Sequence, residues 1–239
     1  MTNRAQMSDQ RAEYGRLLSL AVHELRTPLS VASGYLRILQ RDDTLTSRQR
    51  KMIDDANQAC VRLVAIIGEL SDIGQLDDGR AVLRAEPVDL AELLRAIGGG
   101  TAEADDRRVH LECHGPADAL VVRGDPSRLR TSFDALVRAV LREQTDNTAV
   151  RLEWRRENTR AVIAIGRATQ LDSASRQSRA PFDEQRGGLG LALPIARRVI
   201  ELHGGAIWSP AGADGSATAR SAIFVELPTS SAERPEPGK

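Results

Sequence analysis

Aromatic side chains make up only 3% of the 239 residues, so any hydrophobic core has to be built from aliphatic side chains. Lysine is almost missing as well, with Lys51 and Lys239 alone, and arginine carries the remaining positive charge. Lys and Arg together number 33, as do Asp and Glu, so the chain has no net charge. Without a net field to attract polyanions, we expect neither nucleic acid nor a membrane as a partner.

The sequence also lacks an apolar run of about 18 residues, the length needed to span a bilayer, and its first residues lack a signal-peptide core. Its two cysteines, Cys60 and Cys113, are not spaced as metal ligands are. Cys60 falls on an apolar helical stripe and Cys113 in a strand-like run. We therefore predict two reduced, packed thiols in a cytoplasmic protein.

Apolar residues recur at three- and four-residue steps and predict a long helix from about Asp9 to Gln40, after an N-terminal tail (residues 1–8). Thr46 and Gln49 have the spacing of a capping box, which opens a second helix. A lone helical hairpin over residues 9–78 cannot bury two long apolar stripes. A second copy would complete a dimeric four-helix bundle; packing against the chain's own C-terminal half is the alternative.

Residues 79–228 mix strand-like and helical runs, which predicts an α+β sandwich with helices beside one layer of sheet. The predicted strands cover residues 82–84, 109–113, 119–123, 150–154, 160–165, 206–208 and 222–227, with 109–113 paired to 119–123, and the predicted helices start at Pro87, Pro126 and Gly187. A break at residues 98–100, a polar loop over 167–186 and a disordered tail over 229–239 complete the prediction.

The stretch from Ser19 to Ser30 carries the clearest chemical signal. On a helix, His23 and Thr27 share one face, whereas Glu24 points about 100° away. Pro28 should bend the helix nearby, because it lacks an N–H and crowds the preceding turn. A lone histidine of this kind is often an ordinary surface residue. Here the whole string His-Glu-Leu-Arg-Thr-Pro-Leu resembles the phosphoacceptor box of the two-component sensor histidine kinases.

That resemblance implies that His23 accepts a phosphoryl group and exchanges it with an aspartate in the receiver domain of a response regulator. Glu24 would orient or deprotonate the imidazole, and Thr27 would position a water that dephosphorylates the regulator. Arg26 can contact phosphate or simply be solvated. The family also implies a homodimer, and another histidine kinase is a further candidate partner. Members usually have transmembrane or sensory segments before this box, whereas this sequence has almost nothing before the histidine helix. We therefore expect any stimulus to come from a partner, or no stimulus to exist.

The C-terminal part resembles the catalytic ATP-binding domain of these kinases, which gyrase, Hsp90 and MutL-type ATPases share. Gly188, Leu189 and Gly190 match the glycine box that cradles the triphosphate at a helix N-terminus. Arg142 matches a basic residue that can contact a phosphate. Phe182 stands where the family has a lid phenylalanine.

Other parts of that ATP site are missing. Ala135 and Ala139 replace two asparagines, the second of which holds Mg²⁺ in the family, and alanine offers no oxygen ligand. The run beginning at Gly166 replaces the Asp-x-Gly-x-Gly box, whose carboxylate recognises adenine. ATP and Mg²⁺ are thus implied by the resemblance but opposed by the residues present. The candidate substitutes for the lost oxygen ligands are Asp146, Asn147 and Asp172.

Three functions are therefore open, and we interpret the chain as a transferase of this family. The first is a histidine kinase that autophosphorylates from ATP. The second is a phosphotransferase or pseudokinase/phosphatase that does not use ATP, with the C-terminal domain as a scaffold for docking the regulator. The third is a non-enzymatic module that binds a regulator or pairs with an active kinase. A chaperone-like or anti-sigma-type ATPase would lack the histidine hairpin.

Overall fold

A computed structural model describes residues 2–100, 104, 108–145, 147–211 and 222–230. The chain divides into two compact units, residues 1–81 and 82–239. Asp146 and the tail beyond residue 230, which we predicted to be disordered, lie outside the described residues. Within the described part of the chain, no helix is both long enough and apolar enough to cross a bilayer.

The first unit is a hairpin of two long helices, α1 (Thr2–Leu39) and α2 (Ser47–Asp77). We predicted that α1 would start near Asp9, but it extends back to Thr2, because residues 2–8 contain no glycine or proline that would stop the helix. The capping box is confirmed: the Gln49 backbone N–H donates to Thr46 Oγ1, and the Thr46 N–H donates to Gln49 Oε1 at 3.0 Å.

The two helices pack against each other through a small set of side chains. Among the described side chains, the buried apolar ones are Val22 on α1 and Ile67, Ile73 and Leu76 on α2. At the open end of the hairpin the Asp78 carboxylate lies against Gly15, and a Cβ at that position would require this side chain to move. The helices therefore approach closely at this end.

The second unit contains a six-stranded sheet in the order β2-β4-β5-β8-β7-β6, and all neighbouring strands are antiparallel except β2 and β4. Its strands are β2 (His110–His114), β4 (Ala149–Glu157), β5 (Arg160–Arg167), β6 (Arg179–Ala180), β7 (Ala206–Pro210) and β8 (Ala222–Pro228). A separate two-stranded sheet joins β1 (Glu86–Asp89) to β3 (Val121–Gly124). The helices are α3 (Leu90–Gly100), α4 (Pro126–Arg142), α5 (Ala168–Ala174) and α6 (Ala192–Leu202).

The sheet has two different faces because side chains alternate along each strand. On the first face, side chains such as Leu152, Ile163 and Val225 are fully buried in the core formed with α3, α4 and α6. On the second face, Leu171 and Ala174 of α5 pack against strand residues. That cluster also contains Ala164, Ala222 and Phe224, with Trp208 at its edge.

Several predicted elements differ in the structure. Residues 82–84 are not a strand, and residues 98–100 end α3 instead of breaking the chain. The segments at 109–113 and 119–123 do not pair with each other. Instead, β2 pairs with β4, and β3 pairs with β1. The Asp89 carboxylate accepts from the Leu120 N–H, which helps hold the start of β3 beside β1. The loop predicted over 167–186 contains α5 and β6.

Candidate functional site

His23 lies on the exposed surface of α1, together with Glu24, Arg26 and Thr27. Val22, which is 4% exposed, packs in the hairpin and fixes the rotation of the helix, so the next residue points away from that contact. The helix continues through Pro28. The imidazole is therefore accessible to another protein.

The surface around this box is unusually apolar. Twelve of the fourteen large hydrophobic side chains that are exposed among the described residues lie on α1 and α2. They are Leu17, Leu20, Leu25, Val31, Tyr35, Ile38, Leu39, Met52, Val61, Leu63, Val64 and Ile66. A patch this large is typical of a protein–protein interface.

The predicted phosphate cradle is a loop, residues 186–190, which we call the glycine loop. It begins with a 3₁₀ turn (Arg186–Gly188), and α6 starts two residues after Gly190. Gly187, Gly188 and Gly190 have φ values of 67°, 61° and 59°, in the left-handed region that favours glycine. Around Gly188 and Gly190 a side chain would meet only open space, so an anion could approach their backbone.

Arg142 is brought to this loop by the end of α4, where its Nη1 donates to the Gly188 carbonyl at 3.4 Å. The residue before α6, Leu191, has no side-chain acceptor to cap the first N–H groups of the helix. Backbone donors and a cation thus lie together, as a phosphate group requires. The residues in this part of the site fit the phosphates of a nucleotide.

The residues at the metal position do not fit a magnesium ion. Ala135 and Ala139 are buried in α4. The backbone of Gly187 packs against Ala139, so a Cβ on Gly187 would lie 2.7 Å from Ala139 Cα. No group of three or more His, Cys, Asp or Glu suited to a metal occurs among the residues that the structure describes. Asn147 is exposed beside β4, and Asp172 lies across the sheet, 3.8 Å from Arg151 on the second face.

The segment that binds adenine in the family also has a different structure in this chain. Gly166 is a buried residue at the end of β5, and the chain continues through Arg167 directly into α5. The Arg167 Nε donates to Gln144 Oε1 at 3.0 Å, so an arginine–amide contact lies beside the position of the family's carboxylate. Phe182 is half-buried in the segment that leads to the glycine loop.

Arg186 and Glu143 form a contact that the sequence analysis missed. The Arg186 side chain is fully buried, and its Nη2 lies 2.5 Å from Glu143 Oε2. Its Nη1 donates to the Ala222 carbonyl at 3.1 Å. An arginine directly before two glycines was the only local signal, and it does not identify a partner 43 residues away.

Asp125 caps α4 and connects it to two other segments. Its Oδ1 accepts from the Arg128 N–H at 3.0 Å, its Oδ2 from the Arg84 N–H at 3.3 Å, and its own N–H donates to His203 Nε2 at 2.9 Å. Burial alone would raise the pKa of Asp125, but the hydrogen bonds, including one from Ser127, lower it to about 2. The carboxylate is therefore a structural anion.

The cysteines are both free. Cys60 is half-buried on α2. Cys113 on β2 is exposed, whereas we predicted that it would be packed. Its Sγ nevertheless packs against Gly98 of α3, where an added side chain would overlap it. This partial burial of the thiol raises its pKa. The strand lies at the edge of the sheet, which explains why Cys113 is exposed.

Residues 13–79 match the His Kinase A (phospho-acceptor) domain family. The sensor protein DivL of Caulobacter vibrioides is 31% identical over 77% of this chain and 24% of its own length. The circadian input-output histidine kinase CikA of Synechococcus elongatus is 30% identical over 82% of this chain and 28% of its length. The chain thus spans about a quarter of the length of these curated relatives.

Solved histidine kinases share the fold. Full-length ShkA in complex with AMPPNP matches with a TM-score of 0.68 and 22% identity, over 91% of this chain and 46% of ShkA. The histidine kinase ThkA in complex with the response regulator TrrA matches with a TM-score of 0.55 and 20% identity, over 97% and 67% of the two chains. From the His23 box, the matched domain and these relatives, we conclude that the chain belongs to the two-component sensor histidine kinase family.

Proposed function

We propose that His23 is phosphorylated and exchanges its phosphoryl group with an aspartate in a response-regulator receiver domain. The observation that carries this proposal is the complete phosphoacceptor box, exposed on α1 within the matched domain. The solved pair of ThkA with the response regulator TrrA supports a partner of this kind.

On the acceptor side, the chemistry needs only groups that the box contains. A ring nitrogen of His23 attacks phosphorus, an N–P bond forms, and the bond from phosphorus to the donor oxygen breaks. The imidazole loses its N–H proton in the same exchange, and we propose that Glu24 orients the ring or takes that proton. Thr27, one helical turn after His23, would position the water that hydrolyses the regulator's aspartyl phosphate.

We also propose that two copies of the chain pair through α1 and α2. The twelve exposed apolar side chains of the hairpin support this arrangement, because a four-helix bundle would bury such stripes in its core. A homodimer is in addition the usual symmetric solution for a self-complementary surface.

The source of the phosphoryl group separates two candidate functions. An autokinase would take it from ATP, as the solved complex of ShkA with AMPPNP suggests for the family. A phosphotransferase would take it from a phosphorylated receiver domain. Ala139 favours the second function, because it is fully buried against the backbone of Gly187 and offers no oxygen ligand for a metal.

The proposal is tested by incubating the full chain with a receiver domain that carries a radiolabelled aspartyl phosphate. We expect acid-labile label on the chain and none on His23→Ala. His114→Ala is the matched control, since His114 is exposed on β2 and outside the box. Equal labelling of wild type and His23→Ala would refute His23 as the acceptor, and a parallel reaction with γ-labelled ATP and Mg²⁺ distinguishes the two donors.

A further inference from the structure

We infer that packing of the glycine loop against α4 closes the metal position, although Gly188 and Gly190 stay open, and that the second unit does not bind magnesium–ATP. Three contacts carry the inference, one at each part of the nucleotide site. None of them involves the histidine hairpin, so the inference is independent of the proposed role of His23.

The first contact fills the metal position. Ala139 is fully buried, and a Cβ on Gly187 would lie 2.9 Å from the Ala139 carbonyl oxygen and 3.1 Å from its Cβ. Real Cβ atoms do not approach backbone atoms so closely. The loop backbone thus lies directly against the residue from which an oxygen ligand would have to project, and we expect a longer side chain at 139 to displace the loop.

The second contact locks the loop. The Arg186 guanidinium is fully buried and bonds Glu143, just after α4, and the Ala222 carbonyl at the start of β8. Three elements are therefore joined by one side chain. Opening the loop would separate the fully buried Arg186 from Glu143, which is 15% exposed, and leave both charges without their partner, which is unfavourable.

The third contact removes the adenine position. Gly166, near the end of β5, replaces the family's adenine-binding carboxylate, and the residues that follow Arg167 form α5 instead of the rest of that box. Leu171 and Ala174 are each 2% exposed and hold this helix on the second face of the sheet. The core of α4 lies on the first face, so α5 cannot contribute a residue to a site beside α4.

Thermal unfolding and equilibrium dialysis of the full chain with AMP-PNP, with and without Mg²⁺, test this inference. A nucleotide present at about one hundred times its dissociation constant would raise Tm by at least about 5 °C in a domain of this size. We expect no change in Tm and no retained nucleotide. A rise in Tm or nucleotide retention in the presence of Mg²⁺ would overturn the inference while leaving the His23 proposal untouched.

Ala139→Asn gives a second test because it restores the family's metal ligand. We expect it to lower Tm, since the amide collides with the glycine loop, and to leave nucleotide binding absent. Thr131→Asn is the matched control, an exposed position on the same helix with the same new side chain. An Ala139→Asn protein that keeps the wild-type Tm and binds AMP-PNP with Mg²⁺ would show that the loop is open.

Discussion

Asp125 shows how one buried carboxylate organises the second unit. It lies at the first turn of α4 and accepts hydrogen bonds from Arg128, Ser127 and Arg84, while its N–H is held by His203 at the end of α6. His203 Nδ1 lies 2.6 Å from the Val199 carbonyl, so the hydrogen bonds assign the tautomer with a proton on Nδ1. The ionised form of Asp125 is therefore part of the native fold.

Asp125→Asn should destabilise the chain in a pH-dependent way. The native pKa of about 2 lies below the ordinary value of 3.8, so the charged group contributes stability above pH 3.8 that is lost as the pH falls toward 2. The pKa difference corresponds to about 2 kcal/mol at pH 7. Asparagine is itself a good helix N-cap and can keep the bond from the Arg128 N–H, but its amide nitrogen cannot accept from the Arg84 N–H, so the difference reports the charge together with that hydrogen bond.

Denaturant unfolding at neutral pH and at about pH 3 measures this effect. We expect the deficit of Asp125→Asn to be large at neutral pH and smaller in acid. Asp134→Asn, on the exposed side of the same helix, should change stability by less than about 0.5 kcal/mol. An equal deficit at both pH values would contradict the role of the charge.

Sequence signals for single residues were reliable where the interaction is local. The capping box at Thr46 and the start of α4 at Asp125–Pro126 were predicted from neighbouring residues, and both are present. The Arg186–Glu143 pair was not predicted, because its partners are brought together only by the tertiary fold. The roles of His23, Glu24 and Thr27 stay predictions, since the structure shows their exposure and not their chemistry.

At the scale of elements, the end of α4 and the glycine loop behave as one unit. Glu143 Oε2 bonds Arg186, and within the described part of the chain its buried Oε1 makes no hydrogen bond. The negative charge thus depends on one arginine. Such a pair contributes more to the position of the loop than to net stability, because both groups had to leave water.

A double-mutant cycle tests that coupling. Arg186→Met should cost about 3–5 kcal/mol of unfolding free energy, because it leaves Glu143 buried without its cation. The double variant Arg186→Met with Glu143→Met should recover most of that loss. Denaturant unfolding gives the four values.

Arg197→Met is the matched control for this cycle. Arg197 of α6 pairs with Glu184 and Glu201, and these side chains are 27–49% exposed, so we expect its loss to cost less than the loss of the fully buried Arg186. A double variant as unstable as Arg186→Met alone would show that the buried pair is not coupled.

The sequence did not reveal how two of the strands pair or that residues after β5 form the helix α5. Residues 109–113 and 119–123 are close along the chain, so a hairpin was the simplest expectation, yet each pairs with a distant strand. The polar run after β5 has no long helical repeat of apolar residues, so no helix was predicted there. Leu171 and Ala174 are nevertheless enough to hold one short helix on the sheet. Pairing depends on partners far away in the sequence, which local patterns do not encode.

At the scale of the whole molecule, the exposed stripes of the hairpin predict a dimer. We expect the wild-type chain to sediment at twice its mass of 26.0 kDa at micromolar concentration. Val64→Glu places a charge on α2, where the side chain is 54% exposed, and should shift the protein toward the monomer because burying an unpaired charge is costly.

Val82→Glu is the control for this experiment. Its side chain is 93% exposed and lies outside both helices, so the same change should leave the dimer intact. Analytical ultracentrifugation of the three proteins gives the comparison. A wild-type monomer, or a dimer that both substitutions leave unchanged, would contradict pairing through the hairpin.

The hydrogen bond from Arg84 to Asp125 also determines where the chain can be divided for study. A fragment that begins at Val82 keeps the donor that helps hold the Asp125 carboxylate in its ionised state, whereas one that begins at Glu86 loses it. The four residues 82–85 form no helix or strand, so a boundary drawn from secondary structure alone would remove them. They are tied to the folded second unit by the Arg84 N–H and by the Ala85 carbonyl, which accepts from Arg123 Nη2 at 3.0 Å.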